Sequence, residues 1–417
     1  MKLISILIIS IVFLNNYQTK AQDASTWLLE NTSEISVNNN YDFSEIKKAI
    51  GSKRIVAIGE SSHGLGEFYR LKAALVAYLH KEMGFEVLAM EGGLGDINLA
   101  FSHIDTLNFE QLRDETVFGN FRAAEANSVF QYIVNQSKTP QKLYYTGYDT
   151  QASSSYLVKT LRPLLEPYNK NLSDSLQYKF WGYGASFRAG NQGDSINYYK
   201  YQKLFLDAAK DSEEIIKKNK EDIIQKRHIS EFQYTIILRA LNMFQKSYNL
   251  SFTNRYDGTA VRDELMAKNV KWLIDSIYPN KKFIIWAHNV HIEKQPVENN
   301  WGIKWMGHYL KEWYPQEYYA LGLFAYEGNT YQHWTQEVTP FLNNGKKALE
   351  KKFFETGKSI SFLNIEQITK TNETQWLFEP LSGFELENGG TIDFIPTKRF
   401  DGIINVSHSE IPTYKKE

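Results

Sequence analysis

The chain has no cysteine among its 417 residues, and this absence excludes several kinds of protein. Without cysteine there is no disulfide framework, no thiolate nucleophile and no cysteine that could carry a lipid anchor. A charge excess is also lacking, because the chain has 47 basic and 48 acidic residues and thus a formal net charge of −1. Electrostatics therefore implies no polyanionic partner, and we do not expect the protein to bind nucleic acid.

The one notable apolar run, residues 3–13, is short and lies at the N terminus. It follows Lys2 and precedes polar residues that end at Ala21, which is the layout of a secretory signal peptide. The run is too short to span a bilayer comfortably, although a buried or membrane-anchoring N-terminal helix is an alternative. We expect residues 1–21 to be a signal peptide, the protein to be periplasmic or secreted, and no stable insertion into a membrane.

The sequence also lacks the G-x-S-x-G pentapeptide of serine hydrolases. Its nearest match, the run from Gly59 to His63, has no second glycine, and its serines stand too close to His63 to be its partners. We interpret Ser61 and Ser62 as candidates for capping the following helix. With neither a serine elbow nor a cysteine, activated water is the simplest nucleophile for any hydrolysis.

What the sequence does contain is a strand that breaks into a turn bearing acids and an imidazole. The run Val-Ala-Ile-Gly-Glu-Ser-Ser-His at residues 56–63 ends in Glu60 and His63, and apolar residues then recur at helical spacing up to a stop at Gly84. A second apolar run ends in Glu91. This pattern predicts a β-α-β unit whose strand ends share one edge of a sheet, so we expect Glu60, His63 and Glu91 to share one cleft.

Four further strand-like runs lie at residues 142–146, 282–286, 318–324 and 402–406. Asp149 follows the first of them, and His288 and His291 follow the second. Four strand ends thus deliver acidic or imidazole groups to the same predicted edge. We predict an α/β fold with a central, largely parallel sheet flanked by helices.

Between residues 152 and 249 the pattern changes to long amphipathic helices, for example residues 201–218 and 231–248. A charged run at residues 217–222 indicates a solvated bend, and the glycine-containing residues 182–197 are a candidate flexible loop. We predict one α/β domain over residues 22–417, with residues 152–249 as a helical insertion that covers the cleft.

Several segments resemble the erythromycin esterase family. Residues 59–93 match its Gly-Glu-x-x-His-Gly loop, its helix and its second strand ending in glutamate. The segments GYDTQ (147–151), RDELMAKNV (262–270), WAHNVH (286–291) and RFDGIINV (399–406) resemble later blocks in the same order. The resemblance implies an α/β hydrolase that opens a macrolide lactone, with a small-molecule ester and water as its substrates and with no cofactor or metal.

The same resemblance implies roles for particular residues. His63 is the predicted general base, with Glu60, Glu91 and His288 as its catalytic neighbours, and His288 could donate a hydrogen bond to the carbonyl oxygen of the substrate. A second group is predicted to bind substrate: Lys72, Asp149 and His291. Lys72 stands where the family pattern usually has arginine, so a bidentate carboxylate contact is not expected there.

The residues alone leave other interpretations open. His63 could merely bond its own turn, Glu60 could cap a helix, Glu91 could form a surface salt bridge, and His291 could brace its own loop. Arg262 and Asp263 could form an internal ion pair, which we interpret as structural.

The kind of protein is open as well. The three histidines and two glutamates of the cleft supply enough nitrogen and oxygen ligands for zinc or manganese, so a metal-dependent hydrolase is an alternative. An esterase for an endogenous ester and a non-catalytic binding protein of the cell envelope are further alternatives.

Overall fold

The structure of the protein is a computed structural model that describes residues 24–36, 41–248, 255–295, 302–385 and 389–415. The predicted signal peptide lies outside the described residues. Within them, no helix has both the length and the apolar character needed to cross a membrane.

A nine-stranded sheet forms the centre of the described structure. Its strands are β1 (Ser33–Glu34), β2 (Ile55–Ile58), β3 (Val87–Gly93), β4 (Tyr144–Asp149), β5 (Phe283–Trp286), β6 (Tyr318–Gln332), β7 (Glu337–Leu342), β8 (Ile360–Asn364) and β11 (Gly402–Ser409). Their order is β1-β8-β11-β6-β2-β5-β3-β4, and β7 pairs with the extension of β6. A small antiparallel pair, β9 (Leu381–Phe384) and β10 (Thr391–Phe394), completes the β-structure.

The strands from β11 to β4 run parallel, while β1, β7 and β8 add antiparallel pairs. Every residue of β2, β3 and β5 is buried, as expected for parallel strands that helices cover on both faces. Two hydrophobic cores lie on the two faces, and side chains of β2 alternate between them: Ile55 and Ala57 in one, Val56 and Ile58 in the other. The predicted α/β fold with a largely parallel sheet is confirmed.

Helices cover this sheet on both faces. They are α1 (Ala24–Asn31), α2 (Ser44–Ile50), α3 (Gly66–Met83), α4 (Leu94–Phe101), α5 (Phe109–Asp114), α6 (Asn127–Ser137), α7 (Tyr156–Leu165), α8 (Lys170–Asn191), α9 (Ser195–Lys218), α10 (Lys220–Arg227), α11 (Glu231–Tyr248), α12 (Arg255–Trp272), α13 (Asn289–Ile292), α14 (Met306–Trp313), α15 (Leu349–Phe354) and α16 (Pro396–Arg399). Short 3₁₀ turns lie at Ile104–Thr106, Gly119–Phe121, Ala124–Ala126 and Gln375–Phe378, and a π-helical turn at Leu273–Ile277 ends α12.

Helices α7 to α11 occupy the segment predicted to be an insertion, and the charged bend falls at Asn219, between α9 and α10. The flexible loop predicted for residues 182–197 is wrong, because α8 continues to Asn191 and α9 begins at Ser195. Gly182 serves close packing instead, since a Cβ there would lie 2.8 Å from the backbone oxygen of Tyr201 on α9. Tertiary packing between the two helices thus overrides the low helix propensity of glycine.

Candidate active site

The carboxyl ends of four adjacent strands meet at one edge of the sheet, as predicted. Glu60 follows β2, Glu91 lies near the carboxyl end of β3, Asp149 ends β4 and His288 follows β5. Because β4, β3, β5 and β2 are neighbours in the sheet, these four ends lie side by side along that edge.

The imidazole of His63 lies on the carboxylate of Glu60. Its Nδ1 is 2.6 Å from Glu60 Oε1, while Lys72 Nζ donates to Glu60 Oε2 over 2.6 Å. Glu60 and Lys72 have no exposed side-chain surface, whereas 17% of the His63 side chain is exposed. With the Nδ1 proton held by Glu60, Nε2 of His63 carries the lone pair that a general base uses.

Lys72 belongs to the buried layer behind this pair. It projects from α3, donates to the backbone oxygen of Ala287 over 3.2 Å and lies 4.4 Å from the centre of the Trp286 indole. Burial lowers the pKa of Lys72 to about 8, against the attraction of Glu60. It contacts one oxygen of Glu60, which agrees with the absence of a bidentate fork in lysine.

Glu91 is surrounded by donors. Its Oε1 lies 3.2 Å from the guanidinium of Arg262 and 3.4 Å from His291 Nε2, and its Oε2 accepts the backbone N–H of His288 over 3.0 Å. Burial alone would raise the pKa of Glu91, but the charges of His291, His63 and Arg262 hold that pKa well below its usual range. The surface salt bridge considered for Glu91 does not apply, because its side chain is buried.

His288 uses both ring nitrogens within the protein. Nε2 donates to the backbone oxygen of Ser61 over 3.1 Å, and Nδ1 accepts the N–H of Val290 over 3.3 Å. Burial, together with the charges of His63 and His291, keeps the pKa of His288 well below its usual range, so the ring is neutral. This geometry does not favour the predicted donation to a substrate carbonyl; the ring instead ties the Glu60–His63 turn to the end of β5.

His291 contacts another helix rather than its own loop. Its Nδ1 lies 2.7 Å from Asp263 Oδ1 on α12, and Met306 N donates to the same oxygen. Burial would lower the pKa of His291, but Asp263 and Glu91 raise it to about 10. The ring is therefore an imidazolium between two carboxylates, and the ion pair proposed between Arg262 and Asp263 is wrong, because each pairs with a different partner.

Arg262 is the group whose position the sequence interpretation missed. It donates from Nε to Asp149 over 3.0 Å and from one terminal nitrogen to both Asp149 and Glu91. Its other terminal nitrogen has no hydrogen bond within the described chain, and 19% of its side chain is exposed. The sequence offered one indication of this position. Arg262 begins the segment 262–270, which resembles an erythromycin esterase block and follows the strand-end acids in the chain.

The three residues predicted to bind substrate do lie at the site, but behind its surface. Lys72 and Asp149 are almost completely buried and His291 is 6% exposed, and each is engaged by a charged partner. Their burial argues against direct contact with a ligand and in favour of holding Glu60, Arg262 and Glu91. Glu60 is not a helix cap either, because α3 begins six residues later, at Gly66.

The serine and metal alternatives gain no support from the geometry. Leu65, not a serine, precedes α3, so the capping prediction for Ser61 and Ser62 is wrong. Ser61 Oγ is buried without a hydrogen-bond partner in the described chain, and Ser62 Oγ contacts Thr330 Oγ1 over 2.9 Å. Among the described side chains, no group of three or more His, Cys, Asp or Glu is arranged to hold a metal ion.

The helical insertion contributes aromatic side chains beside these charges. Tyr183 on α8 and Tyr248 on α11 pack with ring centroids 4.8 Å apart. Burial raises the pKa of both phenols, and the charge of Asp149 adds to this rise while that of Arg262 opposes it. Phe187 packs on Tyr248 at 5.9 Å and is 44% exposed. This aromatic wall of Tyr183, Phe187 and Tyr248 stands next to the strand-end cluster.

Comparison with known proteins identifies the family of this chain. The model of the erythromycin esterase family matches residues 80–409. This chain belongs to the erythromycin esterase family.

Two full-length relatives agree with that membership. The chain is 25% identical to the Bacillus subtilis protein YbfO, a proposed hydrolase, over 97% of this chain and 96% of YbfO. It is 24% identical to erythromycin esterase type II of Escherichia coli, over 90% of this chain and 94% of that protein. Family and relatives together support a hydrolase, and the family implies a small-molecule ester and water as its substrates.

Solved structures share the fold at lower identity. A Bacillus cereus protein superposes with a TM-score of 0.73 at 19% identity, covering 95% of this chain and 100% of that one. A histidine-to-asparagine mutant of the erythromycin esterase EreC in its open conformation gives a TM-score of 0.66 at 15% identity, covering 93% and 99%. These similarities show that the chain shares its fold with both proteins.

Proposed function

We propose that this erythromycin esterase family member opens the lactone ester of macrolide antibiotics with water activated by His63, and thereby confers macrolide resistance. The observation that carries the proposal is the His63–Glu60 contact of 2.6 Å at a partly exposed imidazole, with Lys72 on the far side of the same carboxylate. A base that faces the cleft while a buried carboxylate orients its ring is the arrangement that general-base catalysis requires.

The steps follow from these positions. Nε2 of His63 takes a proton from water, and the water oxygen bonds to the ester carbonyl carbon. Glu60 stabilises the imidazolium that forms, as a buried carboxylate does for a catalytic histidine. The tetrahedral intermediate then expels the alkoxide, which recovers the proton from His63, leaving a carboxylic acid and an alcohol.

Arg262 is the candidate donor for the negative charge on the carbonyl oxygen. Asp149 and Glu91 fix its plane, and its unbonded terminal nitrogen is the one available to a ligand. Removal of one preorganised hydrogen-bond donor from an oxyanion hole costs about 2.7–4 kcal/mol of transition-state stabilisation. We assign this role to Arg262 in place of His288.

The macrolide assignment rests on the family, on the relative named erythromycin esterase type II and on the aromatic wall, which suits a bulky and partly apolar ligand. A second candidate, an esterase for another bulky ester, is favoured by the similarity to YbfO, a proposed hydrolase. We further propose a periplasmic or secreted location, on the layout of residues 1–21.

The test is hydrolysis by the purified protein of erythromycin and of a panel of simple aryl and alkyl esters. We expect ring-opened erythromycin, one water heavier by mass spectrometry, at a higher kcat/KM than any simple ester. Intact protein mass during a single turnover should show no acyl-enzyme, whereas a trapped adduct would support a serine nucleophile. Hydrolysis confined to simple esters would favour the second candidate, and no hydrolysis of any ester would favour a binding protein.

A further inference from the structure

The turn that carries His288 and His291 is too short to define its own position. It consists of residues 287–288 after β5 and the single helical turn α13, Asn289–Ile292. Its histidines nevertheless make the contacts to Glu91, Ser61 and Asp263 described above. Because a displacement of about 1 Å can lower catalysis about 10²-fold, the position of this turn needs external support.

One support lies at the start of the turn. The backbone N–H of Asn289 donates to Glu60 O over 2.8 Å, and its side chain exchanges two hydrogen bonds with the backbone of Leu323 on β6, at 2.9 and 3.2 Å. Asn289 therefore joins the turn to both β6 and the Glu60 segment.

The second support lies at the end of the turn and comes from the last sequence block, residues 399–406. Arg399 Nε donates to Glu293 Oε2, and the two terminal nitrogens of Arg399 bind both oxygens of Glu385 at 2.5 and 2.9 Å. All three side chains are at most 1% exposed. The backbone of Lys294 also donates to Arg399 O over 3.0 Å.

A neighbouring ion pair repeats this connection one residue further on. Lys294 Nζ lies 2.7 Å from Asp401 Oδ1, and Asp401 Oδ2 accepts the N–H of Ala320 on β6 over 2.9 Å. Glu293 and Lys294, the two residues that follow the turn, are thus paired with two residues of the last block, of which Arg399 is held by Glu385 and Asp401 by β6.

Such pairs are better suited to fixing geometry than to adding stability. Removing charged groups from water costs several kcal/mol per ion, so a buried pair contributes little net stability relative to apolar side chains of the same volume. Its directed bonds, however, specify one arrangement, and the bidentate Arg399–Glu385 contact fixes the guanidinium plane.

We propose that Arg399 and Asp401 act together as a clamp on Glu293 and Lys294 that sets the position of His288 and His291 for catalysis. The proposal rests on the proposed esterase function. Arg399, Asp401, Glu293 and Lys294 are positioning residues, because their contacts reach the reacting groups only through the turn.

The experiment compares Glu293→Gln, Asp401→Asn and the double variant with Glu350→Gln as the matched control. Glu350 is also a fully buried glutamate, but it bonds Asn343 and the backbone of Phe384, and within the described chain its side chain makes no hydrogen bond to the turn. On erythromycin, each clamp variant should lose about tenfold or more in kcat with KM within about twofold, in line with the cost of misplacing catalytic groups. The control should keep kcat within about twofold of wild type at a comparable loss of Tm.

A second measurement does not depend on activity. Imidazole ¹H–¹⁵N spectra should show shifted His288 and His291 resonances in both clamp variants and unchanged resonances in Glu350→Gln. If one clamp variant fails to fold, the other carries the test. Wild-type kcat together with unchanged histidine resonances would overturn the clamp, whereas an inactive wild type with shifted resonances would refute the esterase and retain the clamp.

Discussion

At the scale of single residues, the site depends on charges that compensate one another out of water. Glu60 pairs with Lys72, and Glu91 and Asp149 pair with Arg262, with little solvent to replace a lost partner. Removing one member of a buried pair leaves an uncompensated charge, which typically costs about 3–5 kcal/mol.

Lys72→Met should therefore lower both the stability and the activity of the protein. We expect a loss of about 3–5 kcal/mol in the free energy of unfolding, measured by urea denaturation, and a fall in kcat because Glu60 loses its fixed orientation. Lys48→Met is the control, since the side chains of its pair with Glu45 are 72% and 46% exposed and solvent screening should leave that pair with little effect on stability. Equal effects of the two substitutions would show that Glu60 does not depend on Lys72.

A buried acid outside the site predicts a pH dependence of stability. Burial raises the pKa of Glu350 from an ordinary value of 4.5 to about 8. Between these values the unfolded chain loses its proton before the folded chain does, so this group makes stability fall as pH rises from about 4.5 to about 8. Glu293, whose pKa burial raises to about 7, acts in the same direction.

Glu350→Gln should remove part of that slope. Its stability relative to wild type should increase from about pH 5 to about pH 8, because glutamine stays neutral in both states. Urea unfolding at several pH values measures the difference. A difference that stays constant with pH would mean that Glu350 is ionised in the folded protein throughout.

At the scale of elements, the sequence predicts only part of the helical insertion. Its helices follow from apolar spacing, and α11 has the predicted bounds, Glu231–Tyr248. The continuation of α8 through Gly182, Gly184 and Gly190 does not follow from propensity, because packing on α9 decides it. The aromatic wall is likewise a property of three-dimensional packing between α8 and α11.

We predict that this wall contacts the substrate and affects binding more than chemistry. Phe187→Ala should raise KM for erythromycin several-fold with little change in kcat, since it removes contact area that ground state and transition state share. Tyr178→Ala is the matched control, because Tyr178 is a 58% exposed aromatic of the same helix that stacks on Trp181. A KM unchanged by Phe187→Ala would place the substrate wall elsewhere.

At the scale of the whole molecule, the sequence predicted the parallel part of the sheet and the edge where its acids meet. Continuous apolar strands separated by helices leave few arrangements, and one edge then collects Glu60, Glu91, Asp149 and His288. Strands β1, β7, β8, β9 and β10 were not predicted, because strands of two to six residues carry a weak periodic signal.

The partners within the site were also beyond reach of the sequence. His291 pairs with Asp263, 28 residues away, and Arg262 pairs with Asp149, 113 residues away, so no local spacing reveals either contact. Burial also could not be predicted from local spacing: Arg262, interpreted as structural, is 19% exposed, whereas the side chain of Asp149, predicted to bind substrate, is fully buried.

The central claim is that His63 activates water for ester cleavage, and the rate of erythromycin opening by His63→Ala beside wild type tests it most directly. We predict that the variant keeps the wild-type Tm within a few degrees while its rate falls about 10²–10⁴-fold, the usual contribution of a general base. A variant that retains more than about a tenth of the wild-type rate would contradict the assignment of His63 as the base.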